Sequence, residues 1–189
     1  ISGYPGSTEE IEMEKTTKKD FLKEGGLMIV DPVMGDNGIL YSHFDKKFVE
    51  EMKGLCRTAD VIVPNLTEAC FLTDTDYAGV TEKDYPAVIE KLKQLCPRPS
   101  VTGCDVKNGG KTESRVFYTD EHGQTKSYAT EKIEGAFHGA GDVYASTLVG
   151  CLARGVDTDT AVKISAEFTT NSIRQTALDK TEARYSLNS

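Results

Sequence analysis

The run Leu27-Met28-Ile29-Val30 is apolar at every position and ends at Asp31-Pro32. It lacks the alternation of a half-solvated strand, so it fits a strand buried on both faces, as in the parallel sheets of α/β proteins. Parallel neighbours require crossovers of a dozen residues or more, and the chain supplies them. Ser7 and Glu10 have capping-box spacing and open a charged helix to about Glu24, closed by Gly25-Gly26. Asp45 caps a helix whose Phe48, Met52 and Leu55 recur at i, i+4 and i+7. A short strand over 60–64 leads into a short helix over 65–72. Thr81 is expected to cap a helix carrying Val88, Leu92 and Leu95, followed by a short strand over 100–103. Runs 114–119 and 124–129 flank Asp120-Glu121-His122-Gly123, a hairpin signal. Two helices follow, one from Asp142 to near Gly155 and one over 158–176, with Asp157-Thr158-Asp159 as a helix cap. The alternation predicts an α/β fold with a largely parallel sheet and one antiparallel hairpin. All 189 residues are read as one domain with a single core, without internal repeats or linkers.

Charge narrows the function classes. Lys+Arg number 22 against 30 Asp+Glu, a net −8, and no basic run could track a phosphate backbone, so nucleic acid is not the expected partner. No apolar stretch approaches membrane-spanning length and no signal peptide is evident. The five cysteines, Cys56, Cys70, Cys96, Cys104 and Cys151, have neither metal-finger nor CxxC spacing. They read as buried free thiols, and the chain as an acidic cytoplasmic protein.

Chemistry-bearing residues fall where strands hand over to helices. Ligands of open α/β sheets gather beyond the strand carboxyl ends, which is where Asp31 and Asp36 lie in Asp31-Pro32-Val33-Met34-Gly35-Asp36-Asn37-Gly38. Both could reach a metal–nucleotide, although Asp36-Asn37-Gly38 also suits a plain turn. In Pro64-Asn65-Leu66-Thr67-Glu68 an amide and a carboxylate stand three residues apart at a helix start. They can serve a hydrated metal beside a phosphate, or simply form a capping box. Thr102 ends a strand with a hydroxyl that could donate to phosphate. In Phe137-His138-Gly139-Ala140-Gly141-Asp142 two glycines flank an alanine, and an apolar helical run follows at once. Glycines let N–H groups converge at a helix N-terminus, where the dipole favours an anion. Asp142 is either an ordinary first-turn acid or, beside an anion site, a general base. His138 reads as a loop residue packing behind that site, and His43 and His122 as surface and turn positions. Tyr4 could wall an aromatic substrate or pack in the core.

In this order and spacing, the DPVMGD run with Tyr41 after it, the PNLTE segment and Phe-His-GAGD resemble the ribokinase-like superfamily, and within it the pyridoxal kinases of vitamin B6 salvage. Ser2-Gly3-Tyr4 is similar to a segment lining the pyridoxal pocket there, and Arg184-Tyr185-Ser186 to a C-terminal signature. The resemblance implies a three-layer αβα fold, its parallel sheet flanked by helices on both faces, and transfer of the ATP γ-phosphoryl group to the primary alcohol of pyridoxal. Asp142 would be the base, and Gly139, Ala140 and Gly141 would hold the phosphoryl oxygens. Glu68 and Asn65 would organise Mg²⁺ and its waters, with Asp31 near the metal and Asp31, Asp36 and Thr102 along the phosphate chain. MgATP, a monovalent cation in some relatives, and a homodimer belong to the same expectation.

Departures accompany the likeness. The chain opens at Ile1 with what reads as the end of a strand, and the family's N-terminal portion, with its first strands, lid and ring contacts, is missing. Val63 stands where many relatives carry threonine, against a monovalent-cation site, and the strand near Ser100 looks short for its counterpart. Hydroxymethylpyrimidine kinases share the DPVM-type loop but carry cysteine at the place of Asp142, and some pyridoxal kinases act on both substrates. Sugar kinases share GAGD without the DPVMGD run. A nucleotide-binding fragment without activity is the non-enzyme alternative.

Overall fold

In the computed structural model, which describes residues 1–135 and 137–178, the apolar run near residue 30 lies at the heart of a parallel sheet. The central strand is Ile29–Asp31, flanked on one side by Ser2–Gly3 and on the other by Val61–Ile62, both parallel to it. These are β2, β1 and β5. Two further parallel bridges, Ile62 to Pro99 and Asn65 to Thr102, bring the strand Ser100–Asn108 (β6) alongside. Val30 and Ile62 are fully buried, as a strand covered on both faces requires.

Helices make the crossovers. Ser7 caps α1 (Thr8–Phe21) through its hydroxyl, which accepts the Glu10 N–H at 3.2 Å. Asp45 caps α2 (Lys46–Cys56) by accepting the Phe48 N–H at 2.9 Å. Phe48, Met52 and Leu55 are all buried, so the i, i+4, i+7 stripe faces the core. α2 packs between α1 and α3 (Leu66–Leu72), and α3 against α4 (Tyr85–Leu92). Lys53, buried on α2, ends in ion pairs with Glu50 at 2.7 Å and Asp74 at 2.8 Å. The α4 cap differs from expectation. Asp84, not Thr81, stands at the N-cap, and its carboxylate turns back to accept the Thr81 N–H and hydroxyl at 2.9 and 2.7 Å.

β6 is not short. It continues to Asn108, turns through Gly109-Gly110 with φ of +56° and +83°, and returns as β7 (Lys111–Thr119). A two-residue connection joins antiparallel strands. The expected second hairpin follows, β7 to β8 (Thr125–Glu131), closed where the Asp120 N–H donates to the Gln124 carbonyl at 3.0 Å. α5 (Ala140–Ala153) and α6 (Thr158–Leu178) pack on one another, and Asp157 caps α6 by accepting the Thr160 N–H at 2.9 Å.

Contacts divide the chain into two bodies, Ile1–Cys104 with Phe117–Lys126, and Asp105–Val116 with Ser127–Ser189. The element set is that of an α/β protein with a parallel sheet, as the alternation predicted. All five cysteines are free, and all but Cys151 are buried. Among the described residues no helix is long and apolar enough to cross a membrane. The Arg184-Tyr185-Ser186 likeness lies outside the described residues.

Candidate active site

The first body gathers most of the predicted residues where its strands give way to loops and helices. After β2 the chain tightens as the Val33 N–H donates to the Asp31 carbonyl at 2.8 Å, and Asp31 is buried. After β5, Asn65 opens α3 with a reciprocal capping box: its Oδ1 accepts the Glu68 N–H at 2.9 Å, and Glu68 Oε2 accepts the Asn65 N–H at 2.8 Å. The capping reading of this pair is therefore real, yet it does not exhaust the carboxylate. Glu68 Oε1 accepts the Met34 N–H at 3.1 Å, and Asn65 Nδ2 donates to the Gly35 carbonyl at 2.9 Å. The pair thus staples the loop after β2 to the loop after β5. Glu68 is 3% exposed. Burial pushes its carboxyl up to about 8, and the Asp31 charge adds to the rise, against N–H bonds from Asn65, Met34 and Gly35.

Asp36 lies on a small hairpin formed by Gly35–Asp36 (β3) and Ile39–Leu40 (β4). Asn37 and Gly38 have φ of 51° and 78°, the left-handed pair such a turn demands. Asp36 is exposed, and its carboxylate accepts from the Asn37 backbone and side-chain amides at 2.9 and 3.0 Å. It is a turn residue that still shows its carboxylate to solvent. The hairpin is fixed to α3, since the Gly38 N–H donates to Thr67 Oγ1 at 2.9 Å. Gly35 has no room for a side chain, because an added Cβ would sit 2.5 Å from the Ile39 carbonyl oxygen. Gly35→Ala is expected to cost about 1–3 kcal/mol through this overpacking. Thermal unfolding would register it as roughly 2–4 °C per kcal/mol, and an unchanged midpoint would contradict the close approach.

Thr102 pairs with Asn65 in the parallel bridge, and its N–H donates to the Pro64 carbonyl at 3.0 Å. Tyr4 follows β1, whose Gly3 is in register with Asp31. It is half exposed, with φ of 51°. Asp31, Asp36, Asn65, Glu68 and Tyr4 therefore belong to one body, at the ends of its parallel strands or in the segments that follow them; Thr102 belongs to the same body but does not end a strand as expected, because β6 runs on through it to Asn108.

Gly139-Ala140-Gly141-Asp142 belongs to the second body. Gly139 is the N-cap of α5 in a left-handed conformation, φ 86°, with no side-chain cap bond. With no side-chain cap bond at Gly139, the first-turn N–H groups and the positive dipole end of α5 are left for another polar partner such as an anion. Asp142 is exposed in that first turn, and a Cβ placed on Gly139 would lie 4.0 Å from its Oδ2. His138, beside it, is also exposed.

Comparison with known proteins decides the family. The profile described as phosphomethylpyrimidine kinase matches residues 6–187. The chain belongs to that family. The Bacillus subtilis pyridoxine kinase is 29% identical over 169 residues, 85% of this chain and 58% of its own length. A Bacteroides thetaiotaomicron protein assigned to the phosphomethylpyrimidine kinases superposes with a TM-score of 0.89 at 30% identity, over 98% of this chain and 64% of that one. The Lactobacillus plantarum pyridoxal kinase does so with a TM-score of 0.86 at 28% identity, over 98% and 65%. These neighbours give the chain the ribokinase-like fold that its motifs implied. The chain spans 38–58% of the length of the curated relatives it matches.

In a kinase family the donor set bears on Mg²⁺. Among the described residues no three His, Cys, Asp or Glu side chains converge into a metal cage. Mg²⁺ often keeps several waters and takes only one or two carboxylates, so Asp31 and Glu68, near enough for the Asp31 charge to raise the Glu68 carboxyl, fit such an ion. Val63 is buried and donates its N–H to the Val30 carbonyl at 2.9 Å, leaving no side-chain oxygen there for a monovalent cation. His43 is exposed, as its surface reading expected, and its Nε2 lies 2.9 Å from the Tyr4 hydroxyl. Nothing in the local sequence could have shown that contact, since the two residues stand 39 apart.

Proposed function

We propose that the protein transfers the γ-phosphoryl group of ATP to the primary alcohol of pyridoxal and related B6 vitamers, residues 1–189 belonging to a single ribokinase-like domain whose N-terminal part lies outside them. The observation that carries this reading is the start of α5, where an uncapped helix N-terminus and an exposed carboxylate share one turn. Phosphoryl transfer asks for positioning and charge stabilisation more than for covalent chemistry. The N–H groups at Gly139, Ala140 and Gly141 would hold the negative oxygens of the moving phosphoryl group. The Asp142 carboxylate would accept the proton as the substrate hydroxyl becomes a phosphate ester oxygen. Mg²⁺-bound ATP, when present, supplies the phosphoryl group and neutralises its charge. Glu68, with Asn65 and Asp31, would orient the ion's waters; Asp36 and Thr102 would border the phosphate chain, and Tyr4 the substrate ring. Val63 speaks against dependence on a monovalent cation. A homodimer and a cytoplasmic setting belong to the same reading, the free thiols being in keeping with the latter.

The family description favours a second substrate, hydroxymethylpyrimidine or its phosphate. Asp142 supports pyridoxal, and the Bacteroides relative assigned to that family has been crystallised with pyridoxal. The test is a MgATP-dependent assay with each substrate on the full-length protein that carries this chain. Pyridoxal turnover exceeding pyrimidine turnover supports the reading; the reverse order replaces it, and no turnover of either leaves a nucleotide-binding protein.

A further inference from the structure

Tyr4 is held in an unusual way. It is a non-glycine residue at φ 51°, in the left-handed region, and half of its surface is exposed. For a residue with a Cβ this conformation costs on the order of 1 kcal/mol, and it persists only where surrounding contacts over-determine it. Those contacts come from the segment after the β3–β4 hairpin. The Tyr4 hydroxyl lies 2.9 Å from His43 Nε2. The Tyr4 ring meets His43 edge-on with centroids 6.0 Å apart, and Phe44 at 5.9 Å. His43 packs on Phe44 at 4.1 Å, and Phe44 stacks on Phe48 of α2 at 3.8 Å, so the exposed pair rests on two buried aromatic rings. Tyr41 also lies near His43, with centroids 6.5 Å apart and planes 15° from parallel.

Resting on the pyridoxal reading above, we propose that His43 is a positioning residue for the substrate: its bond to the Tyr4 hydroxyl fixes the Tyr4 ring as one wall of the pocket for the pyridine ring. An exposed tyrosine with a free hydroxyl samples several rotamers, and a wall that wanders must be ordered when the ring binds. The bond to His43 orders it beforehand. Either proton arrangement serves, with the Tyr4 hydroxyl donating to Nε2 or an Nε2 proton donated to the hydroxyl oxygen. The effect therefore belongs to substrate binding and not to phosphoryl transfer.

Steady-state kinetics on the full-length protein tests this with His43→Ala, His43→Gln and Tyr4→Phe. Losing one ordering hydrogen bond is expected to raise KM for pyridoxal by about five- to tenfold in His43→Ala and in Tyr4→Phe. KM for ATP and kcat should stay within about twofold, and His43→Gln, which keeps a donor, should recover part of the loss. The double variant should be no worse than either single one, the signature of a shared interaction. A pyridoxal KM unchanged in both single variants overturns the proposal, as does a rise in both substrates' KM together, which would mark a general structural effect. Since both side chains are exposed, folding is not at stake in either variant. If the unaltered protein does not phosphorylate pyridoxal, the functional reading itself fails, an outcome distinct from an unresponsive KM in an active enzyme.

Discussion

Asp142→Asn is expected to lower kcat for pyridoxal phosphorylation by about 10²–10⁴-fold, the range for loss of a positioned general base, with ATP affinity and fold nearly unchanged. The substitution keeps size and shape and removes the carboxylate's charge and with it the ability to take a proton. Asp142 is exposed, so no buried partner loses its counterpart. The first turn of α5 also loses a favourable charge at the dipole's positive end, worth about 0.3–1 kcal/mol at most, too little to unfold the helix. The two readings of Asp142 therefore separate cleanly. As a base it controls the rate of transfer; as a first-turn acid it contributes only to stability. A variant that retained more than about a tenth of kcat would leave Asp142 with the second role alone, and α5 would then serve phosphate binding through its N–H groups.

The central strand was readable because burial on both faces leaves a continuous apolar signature, as at Met28-Ile29-Val30, although Leu27 at the start of the run is exposed and outside the strand. Helix starts were readable where the cap is local: Ser7, Asp45 and Asn65 each accept an N–H three residues on, a bond that needs nothing from the rest of the fold. The α4 cap was misplaced because Thr81 and Asp84 can each cap the other's segment, and only the backbone chose Asp84. The length of β6 escaped because Cys104 to Asn108 carries mixed polar residues whose strand conformation comes from pairing with β7, and pairing partners are not written in the strand itself. In the candidate site the motif residues were legible and their mutual contacts were not. The Glu68 bond to the Met34 N–H joins residues 34 apart, and the one between Tyr4 and His43 spans 39. Those long-range bonds tie a capping box and a surface histidine to residues far away in sequence, which no local pattern announces.

Glu68→Gln should separate the structural from the metal-organising role of that carboxylate. Both Glu68 oxygens accept backbone N–H groups, from Asn65 and Met34. Glutamine has only one acceptor oxygen, so its NH₂ would face one of those donors. The unpaired group costs about 1–3 kcal/mol at every pH. A second effect runs against it. The folded-state pKa is raised from the ordinary 4.5 to about 8, so the folded chain holds a proton that the unfolded chain has released. The stability this contributes is complete below about 4.5 and is lost as pH rises through about 8. Glutamine does not titrate and escapes that loss. In chelator-containing buffer the variant is thus expected to be less stable than the unaltered protein near pH 5, with the gap narrowing toward pH 8.5. With Mg²⁺ present the order reverses in meaning, because the ion favours the ionised carboxylate and glutamine offers it none. The Mg²⁺ concentration needed for half-maximal activity should rise about 10–100-fold, as for loss of a group that orients a metal's ligands. A variant with an altered stability–pH profile but an unaltered Mg²⁺ requirement would make Glu68 a staple between two loops and assign the ion to Asp31 alone.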